Sequence, residues 1–463
     1  MREFLAPRHC VSFLGEFSQN ENRCDDFARE LFWSIIFQLE FLPRSRYTLF
    51  MPFVFPLVSF CFYSAWIFMM IFGGKRADEN SFNSDFLSIR ATKSLQGLAA
   101  FGVLCHHISQ TEILQKSGEI QIFKDIGFLF VGLFFFVSGY GLLKSLDTKR
   151  DYLNGFLKRR CVPIIVSFYV MDFFYAIWHL ILKTPMSKGE WICKVLGIAL
   201  LNDNAWFVPV ILILYVVFYF AFKITKNRRL SFALVFVAIA LQIAAFVFLR
   251  HFPWWHGEEN WWRTPDAFSA CAWWKRPCAL WFEGEWWVNS TICFLLGMIF
   301  AQGEGRFFAF FSKRYWMKFF AMFALASIFL CAGIWVLSAI SYWREFSGDN
   351  SVAPRVKMIL IQSAQVVSFV IFVAAMMMKF FADNRATRFF ANNSLEIYLM
   401  QVMAIRTLPM FFGFEKMDFT LFSSRFFVIL YAVLSVAISI LLALCLKRIT
   451  SLLLNFFGGK KNV

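Results

Sequence analysis

The sequence alternates between long apolar blocks and short segments rich in Lys and Arg. A helix needs about 20 apolar residues to cross a bilayer, and it satisfies its backbone hydrogen bonds internally. The pattern therefore predicts an all-α fold, a polytopic transmembrane helix bundle with about ten core spans and one extra N-terminal span. The predicted spans are 51–72, 93–110, 125–146, 161–182, 206–222, 230–249, 289–302, 315–340, 356–380, 391–411 and 425–446. The apolar segment 191–201 is too short to span, and we expect it at the interface or re-entering the membrane.

The composition excludes an ordinary soluble protein. Hydrophobic residues make up 59% of the 463 positions and charged residues only 16%, whereas a soluble domain carries about 25% charged residues. The net charge of +16 comes largely from Lys and Arg in the loops between apolar blocks, which is how orientation is encoded in membranes. We therefore do not expect nucleic acid as a partner. The eleven Cys form no CxxC pair, and we expect no metal site.

The basic loops fall at every second connection between the predicted spans. By the positive-inside rule, these loops face the cytoplasm. The basic loops are 75–93, 149–160, 223–229, 306–318, 385–388 and 447–448. We therefore expect a multi-pass protein of the cell membrane with a cytoplasmic C-terminus.

The two ends of the chain differ from its centre. Residues 1–50 mix charges and aromatics without a clear period, and Met51 then opens an apolar run. Either 1–50 is an N-terminal extension from a mis-assigned start, with translation beginning at Met51, or it is an amphipathic surface segment. We expect 51–72 to form an extra transmembrane helix, 90–450 the main membrane domain and 451–463 a cytoplasmic tail.

The stretch 93–145 carries polar groups inside otherwise apolar sequence. Gln96, His106 and His107 lie within one predicted span, where a polar or ionisable group is costly and its default interpretation is functional. Residues eleven apart return to nearly the same helix face, so Gln96 and His107 share a stripe about 16 Å long, and His106 is rotated by about 100°. Small residues such as Gly97 and Gly102 should let neighbouring helices pack closely.

Several segments carry a resemblance to a known family. KSLQGLAAFGVLCHHISQ resembles the first core helix of the acyltransferase type 3 family, an LRGLAALLVVLYH-type helix, and VGLFFFVSGYGLL resembles the GVxLFFVLSGF-type helix that follows. His107 takes the position of the family His, and Gln96 stands where the family has Arg. Over 90–450, similar segments follow in the same order, among them YLNGFLKRRCVPIIV, NAWFVPVILILYVVFYF, ICFLLGMIFAQ and NNSLEIYLMQVMAI. In the last of these Gln401 replaces a His.

The resemblance implies an integral membrane O-acyltransferase. Such an enzyme moves an acyl group, expected to be acetyl, from cytoplasmic acyl-CoA to a hydroxyl of a cell-surface or membrane-linked glycan or lipid. A neutral His can act as the general base near neutral pH, and a covalent acyl-His relay is the alternative. The expected partners are acyl-CoA, the acceptor and membrane lipids, with no bound cofactor. The expected site residues are His107 and His106 as catalytic residues, Gln96, Lys158, Arg159 and Arg160 as donor-binding residues, and Glu396 and Trp206 as supporting residues.

Other interpretations stay open at this point. A non-enzymatic glycan or lipid transporter would also place polar residues inside a bundle, although we see no internal repeat of the kind many carriers have. A pseudoenzyme is a third interpretation, given Gln96 and Gln401. The Trp-rich loop 250–288 could bind a sugar or form an aromatic belt at the outer interface. Within it, Cys271 and Cys278 could pair in an oxidising compartment.

Overall fold

Short sequence signals start and stop the helices of this chain. The side chain of Ser88 accepts a hydrogen bond from the N–H of Ala91 and so caps the helix that carries the two neighbouring histidines. Asn384 and Thr387 form a reciprocal capping box at the start of a later helix. Pro163 lies in the first turn of its helix, where the missing N–H costs nothing.

The computed structural model describes residues 57–78, 81–184, 186, 188–249, 281–282, 284–340, 351–412 and 422–458. The helices are α1 Leu57–Ile71, α2 Ile89–Ser109, α3 Glu112–Ser117, α4 Gly127–Thr148, α5 Phe156–Arg160, α6 Val162–Ile181, α7 Lys188–Val195, α8 Phe207–Ile224, α9 Arg228–Leu249, α10 Ile292–Ser312, α11 Tyr315–Ala339, α12 Val352–Met377, α13 Arg385–Asn392, α14 Ser394–Phe412 and α15 Phe422–Gly458. Short 3₁₀ helices cover Gln121–Phe123, Asp203–Trp206 and Glu285–Trp287. Two-residue strands, β1 Lys75–Arg76 and β2 Phe380–Phe381, pair antiparallel with Lys75 opposite Phe381.

Eight helical segments of the described part are long and apolar enough to cross a membrane. They contain α4, α6, α8, α9, α10, α11, α12 and α15. The helices α2 and α14 have 21 and 19 residues but carry more polar side chains, and α1 is shorter. The predicted all-α, polytopic helix bundle is thus confirmed, whereas the number of spans stays a prediction.

Three predicted segments have different bounds in the structure. The predicted span 391–411 is wrong as a single helix, because α13 ends at Asn392 and α14 begins at Ser394. Asn393 makes the break: its backbone N–H bonds to the carbonyl of Phe390, and its Nδ2 donates to the carbonyl of Phe389 at 2.7 Å. The last helix, α15, runs on to residue 458, so the segment expected as a tail begins as helix. The short segment 191–201 holds the eight-residue α7 and a turn.

Glycines set how closely the central helices approach. A Cβ at Gly97 would collide with the carbonyl group of Thr387, and one at Gly102 would lie 2.8 Å from the ring of Phe130. The contact of α4 with α10 has the same character, since a Cβ at Gly297 would collide with the carbonyl oxygen of Phe136. The close packing expected around Gly97 and Gly102 is therefore confirmed, since α2 approaches both α13 and α4 closely at these positions.

The bundle has two chemically different ends. At one end of the bundle α2 begins and α4 ends, and we call this the basic end. At the opposite end α2 ends and α4 begins, and we call this the histidine end. At the basic end Arg228 binds the carboxylate of Asp147 through two hydrogen bonds of 3.0 and 2.8 Å, and Lys93 Nζ lies 3.3 Å from Asn392 Oδ1. Residues from separate basic loops thus meet at one end of the bundle.

Candidate active site

The helix that carries the two neighbouring histidines is almost wholly enclosed. Every residue from Gly97 to Cys105 is buried, and Gln96, His106 and His107 are half-buried. An enclosed helix of this kind can expose a side chain to a ligand only where its neighbours leave room. The three polar residues singled out in the sequence lie at those places on α2.

His107 lies between amide groups from two other segments. Its Nδ1 is 3.2 Å from Nδ2 of Asn204 and 3.2 Å from Nε2 of Gln401. Gln401 is 0% exposed, so its amide is removed from solvent. The structure therefore joins α2, the 3₁₀ helix Asp203–Trp206 and α14 around one imidazole.

Side-chain hydrogen bonds hold the segment that carries Asn204. Asn202 accepts a bond from the backbone N–H of Asn204 at 3.1 Å and donates to the carbonyl of Leu399 on α14 at 3.1 Å. The hydroxyl of Tyr398 donates to the carbonyl of Asn204 and accepts from the N–H of Phe207. These bonds fix Asn204 against α14, where Gln401 also lies.

The helix α14 is held on both sides of Gln401. The carbonyl of Leu399 accepts from Asn202, and the N–H of Met403, one helical turn later, donates to the hydroxyl of Tyr175 on α6 at 2.9 Å. Both neighbours thus bind the backbone of α14 at the level of the Gln401 side chain.

His106 has a separate environment from His107. Its Nδ1 lies 2.8 Å from the carbonyl oxygen of Phe123, so this nitrogen donates. The ring packs against Gly127 at the start of α4, where any Cβ would collide with it. The two imidazoles are 5.2 Å apart and tilted by 59°. The expected difference in direction is present: His106 binds a backbone carbonyl, and His107 faces side-chain amides.

A pocket at the basic end contains two of the three predicted basic donor-binding residues. It has a volume of about 390 Å³ and is lined by Lys149, Arg150, Asp151, Tyr152, Arg159 and Arg160. Arg160 binds the hydroxyl of Tyr152 through Nε at 3.2 Å and Nη2 at 3.0 Å, and Arg159 Nη2 donates to the carbonyl of Tyr152 at 2.6 Å. With four cations and one carboxylate, this wall suits a polyanionic ligand.

The remaining predicted residues lie elsewhere. Lys158 is exposed on α5 and does not line this pocket. Gln96 is half-buried on α2, toward the basic end and away from His107. Glu396 is half-buried in the first turn of α14, and Trp206 is 8% exposed at the end of its 3₁₀ helix. Trp206 shares its 3₁₀ helix with Asn204, which contacts His107. Among the described residues, no three His, Cys, Asp or Glu side chains come close enough to share a metal ion.

Sequence reasoning missed the amide environment of His107. In the sequence, Asn204 was notable only because it lies in a segment similar to one of the family. Gln401 was notable only because it replaces a His of the family. Tyr152 carried no signal of its own, although it follows Lys149 and Arg150 in a basic loop. Residues 250–280 of the Trp-rich loop, including Cys271 and Cys278, lie outside the described residues.

These features define an integral membrane protein that encloses a histidine at one end of a helical bundle and has an arginine-lined pocket at the other. Residues 91–444 match a family model described as an acyltransferase domain. The match covers most of the chain, which therefore belongs to the acyltransferase type 3 family. Searches among curated proteins and among solved structures gave no match.

Proposed function

We propose that this acyltransferase takes an acyl group, acetyl in particular, from cytoplasmic acyl-CoA and transfers it to a hydroxyl of a cell-surface or membrane-linked glycan or lipid. Membership of the family supports acyl transfer in general. The one observation that supports the assigned chemistry is the position of His107, whose imidazole is enclosed by α2, α14 and the segment of Asn204. No bound cofactor is needed, because acyl-CoA is itself a substrate.

The chemistry assigned to His107 is proton transfer. A hydroxyl is a poor nucleophile until a base removes its proton, and a neutral imidazole does this near neutral pH. In the direct route His107 takes the hydroxyl proton as the oxygen attacks the thioester carbonyl. The carbon–sulfur bond then breaks, and the proton passes to the departing thiolate. A covalent acyl-imidazole intermediate is the other route, with the same overall balance.

Donor binding is assigned to the pocket at the basic end. The phosphates of CoA are polyanionic, and Arg159 and Arg160 offer guanidinium groups that bind such oxygens in pairs. Between this pocket and the histidine end, α4 has a half-buried side that includes Ser138. On the same helix a Cβ at Gly141 would meet nothing within 4 Å. This free space supports a path for the narrow pantetheine arm along α4.

The proposed orientation follows from charge. The basic end collects Lys and Arg from several loops, and such loops remain on the cytoplasmic side of a cell membrane. On this orientation the C-terminus is cytoplasmic, the donor enters from inside, and His107 lies in the outer half of its helix. The acceptor then reaches His107 from the opposite side.

The test supplies radiolabelled acetyl-CoA to purified protein in lipid vesicles that contain candidate glycans or lipids. We expect label in an ester of the acceptor. We also expect Arg159→Gln and Arg160→Gln to raise the KM for acetyl-CoA about tenfold or more, since each removes charge-assisted hydrogen bonds. Lys226→Gln, at an exposed basic position of the same end outside the pocket, is the control and should leave KM unchanged. Movement of glycan or lipid across the vesicle without any labelled ester would overturn the proposal in favour of a transporter.

A further inference from the structure

Gln401 holds a buried oxygen without a partner directly beside His107. The side chain is 0% exposed, and its Nε2 lies 3.2 Å from Nδ1 of His107. Its Oε1 is buried and accepts no hydrogen bond from the described residues. An unpaired acceptor in a dry interior costs free energy, so an arrangement that pairs this oxygen is favoured.

The present contacts assign a tautomer to His107. Both the Asn204 and the Gln401 amide present a nitrogen to Nδ1, and an amide nitrogen only donates. Nδ1 therefore carries a lone pair, and the ring proton is on Nε2. In this tautomer Nε2 is a donor and cannot take a proton from a hydroxyl. A histidine base needs the opposite tautomer, with Nδ1–H bound to an acceptor oxygen and a free lone pair on Nε2.

We propose that Gln401 is the positioning residue that sets the tautomer of His107. A half-turn of its amide about the last side-chain bond exchanges Oε1 and Nε2, so that the unpaired oxygen accepts Nδ1–H and Nε2 of the ring becomes the base. The amide of Asn204 turns in the same way, because its nitrogen, 3.2 Å from Nδ1, cannot donate to a protonated nitrogen. The backbone of α14 stays in place during this rotation, because Asn202 and Tyr175 hold Leu399 and Met403 on either side of Gln401. This inference rests on the proposed role of His107 in acyl transfer.

The same bond acts during the reaction. When Nε2 takes the hydroxyl proton, the ring becomes an imidazolium, and Oε1 of Gln401 stabilises it through Nδ1–H. The proton then passes from Nε2 to the departing thiolate, and the neutral ring is restored with its proton on Nδ1. The charged and titratable groups that act on His107 are His106 of its own helix and Arg406 of α14. Neither is altered in the variants below.

The kinetic test compares two substitutions at this position with a matched control. Gln401→Leu removes the acceptor and should lower kcat about 10- to 100-fold, with the KM for acetyl-CoA unchanged. Gln401→Glu keeps an acceptor oxygen and should retain kcat within a few-fold. Its acid limb in the pH profile should move to higher pH, because a carboxylate favours the protonated ring. The control is Gln242→Leu, a second buried Gln with an unpaired oxygen, on α9, which should leave kcat and the pH profile unchanged.

A spectroscopic test reads the tautomer without turnover. ¹⁵N spectra of histidine-labelled protein in membranes, with His107→Ala to assign the signal, are recorded with an unreactive thioether analogue of acetyl-CoA bound. We expect His107 protonated at Nδ1 in the wild type and at Nε2 in Gln401→Leu. The same tautomer in both proteins, or an unchanged kcat and pH profile in an active Gln401→Leu, would overturn the inference. A wild type that transfers no acetyl group overturns the proposed function instead, and the spectra still decide the tautomer.

Discussion

The two neighbouring histidines should differ most in their effect on turnover. We predict that His107→Ala abolishes most acyl transfer while the protein still folds and inserts. We predict that His106→Ala weakens the fold and has the smaller effect on turnover. The reason is that His107 contacts side-chain amides, whereas His106 binds the backbone carbonyl of Phe123 and packs on Gly127.

The magnitudes follow from these contacts. Without the His106 ring, the Phe123 carbonyl is left unpaired, which costs about 1–3 kcal/mol, and the space beside Gly127 costs about 1 kcal/mol more. For His107→Ala the loss of a general base lowers the rate about 10²- to 10⁴-fold, which corresponds to about 2.7–5.4 kcal/mol in the activation barrier. Each variant also leaves the hydrogen-bond partners of its ring unpaired, so the rate is the measurement in which the two should differ clearly.

The assay measures the rate of acetyl transfer per folded molecule and the thermal unfolding midpoint of each variant in the same detergent. We expect a very low rate for His107→Ala in a protein that still folds, and a substantial rate for His106→Ala with a lowered midpoint. The reverse result, an inactive His106→Ala beside an active His107→Ala, would refute the reasoning, because the catalytic imidazole would then be the other one. A His107→Ala protein that binds acetyl-CoA poorly but turns over bound substrate normally would assign His107 to positioning.

Two further predictions concern packing and orientation. Gly297→Ala should lower the free energy of unfolding by about 1–3 kcal/mol, and with it the unfolding midpoint, because its Cβ would collide with the carbonyl of Phe136. Gly303→Ala on the same helix is the control: its Cβ meets open space, and the midpoint should rise slightly. Equal shifts in the two variants would contradict the packing argument. Single cysteines placed in 226–229 should react with a membrane-impermeant reagent only from the cytoplasmic side, and those placed in 258–266 only from outside. Reaction of cysteines in 258–266 from the cytoplasmic side would show that the assigned orientation is inverted.

Much of the fold could be predicted because the length of an apolar run and the period of a helix can both be read from a local stretch of sequence. The apolar runs that became α4, α9 and α11 are visible as uninterrupted blocks, since a helix in lipid must satisfy its backbone internally. The division between α13 and α14 was missed. It depends on the side chain of Asn393 turning back to Phe389, and hydropathy does not register such a bond.

The site could be predicted only where one helix carried the information. Gln96, His106 and His107 share α2, so their relative faces follow from 3.6 residues per turn. The partners of His107 come from positions 97 and 294 residues away along the chain, and no local pattern brings such residues together. Arg159 and Arg160, which line the pocket at the basic end, were among the predicted donor-binding residues because they are neighbours in a basic segment. Lys158, directly before them on α5, is exposed and does not line the pocket.

The contact of α2 with α13 also has a consequence for the order in which the protein is made. Ser94 and Thr387, which share a hydrogen-bond contact beside Gly97, are 293 positions apart. At a synthesis rate of about 5–20 residues per second, α2 waits roughly 15–60 s before its partner leaves the ribosome. During that interval α2 lacks its final neighbour at the small residues around Gly97, which later receive the Thr387 backbone. The polar Gln96 lies next to this place. The helix that carries the histidines is therefore among the first to enter the membrane and among the last to reach its final packing.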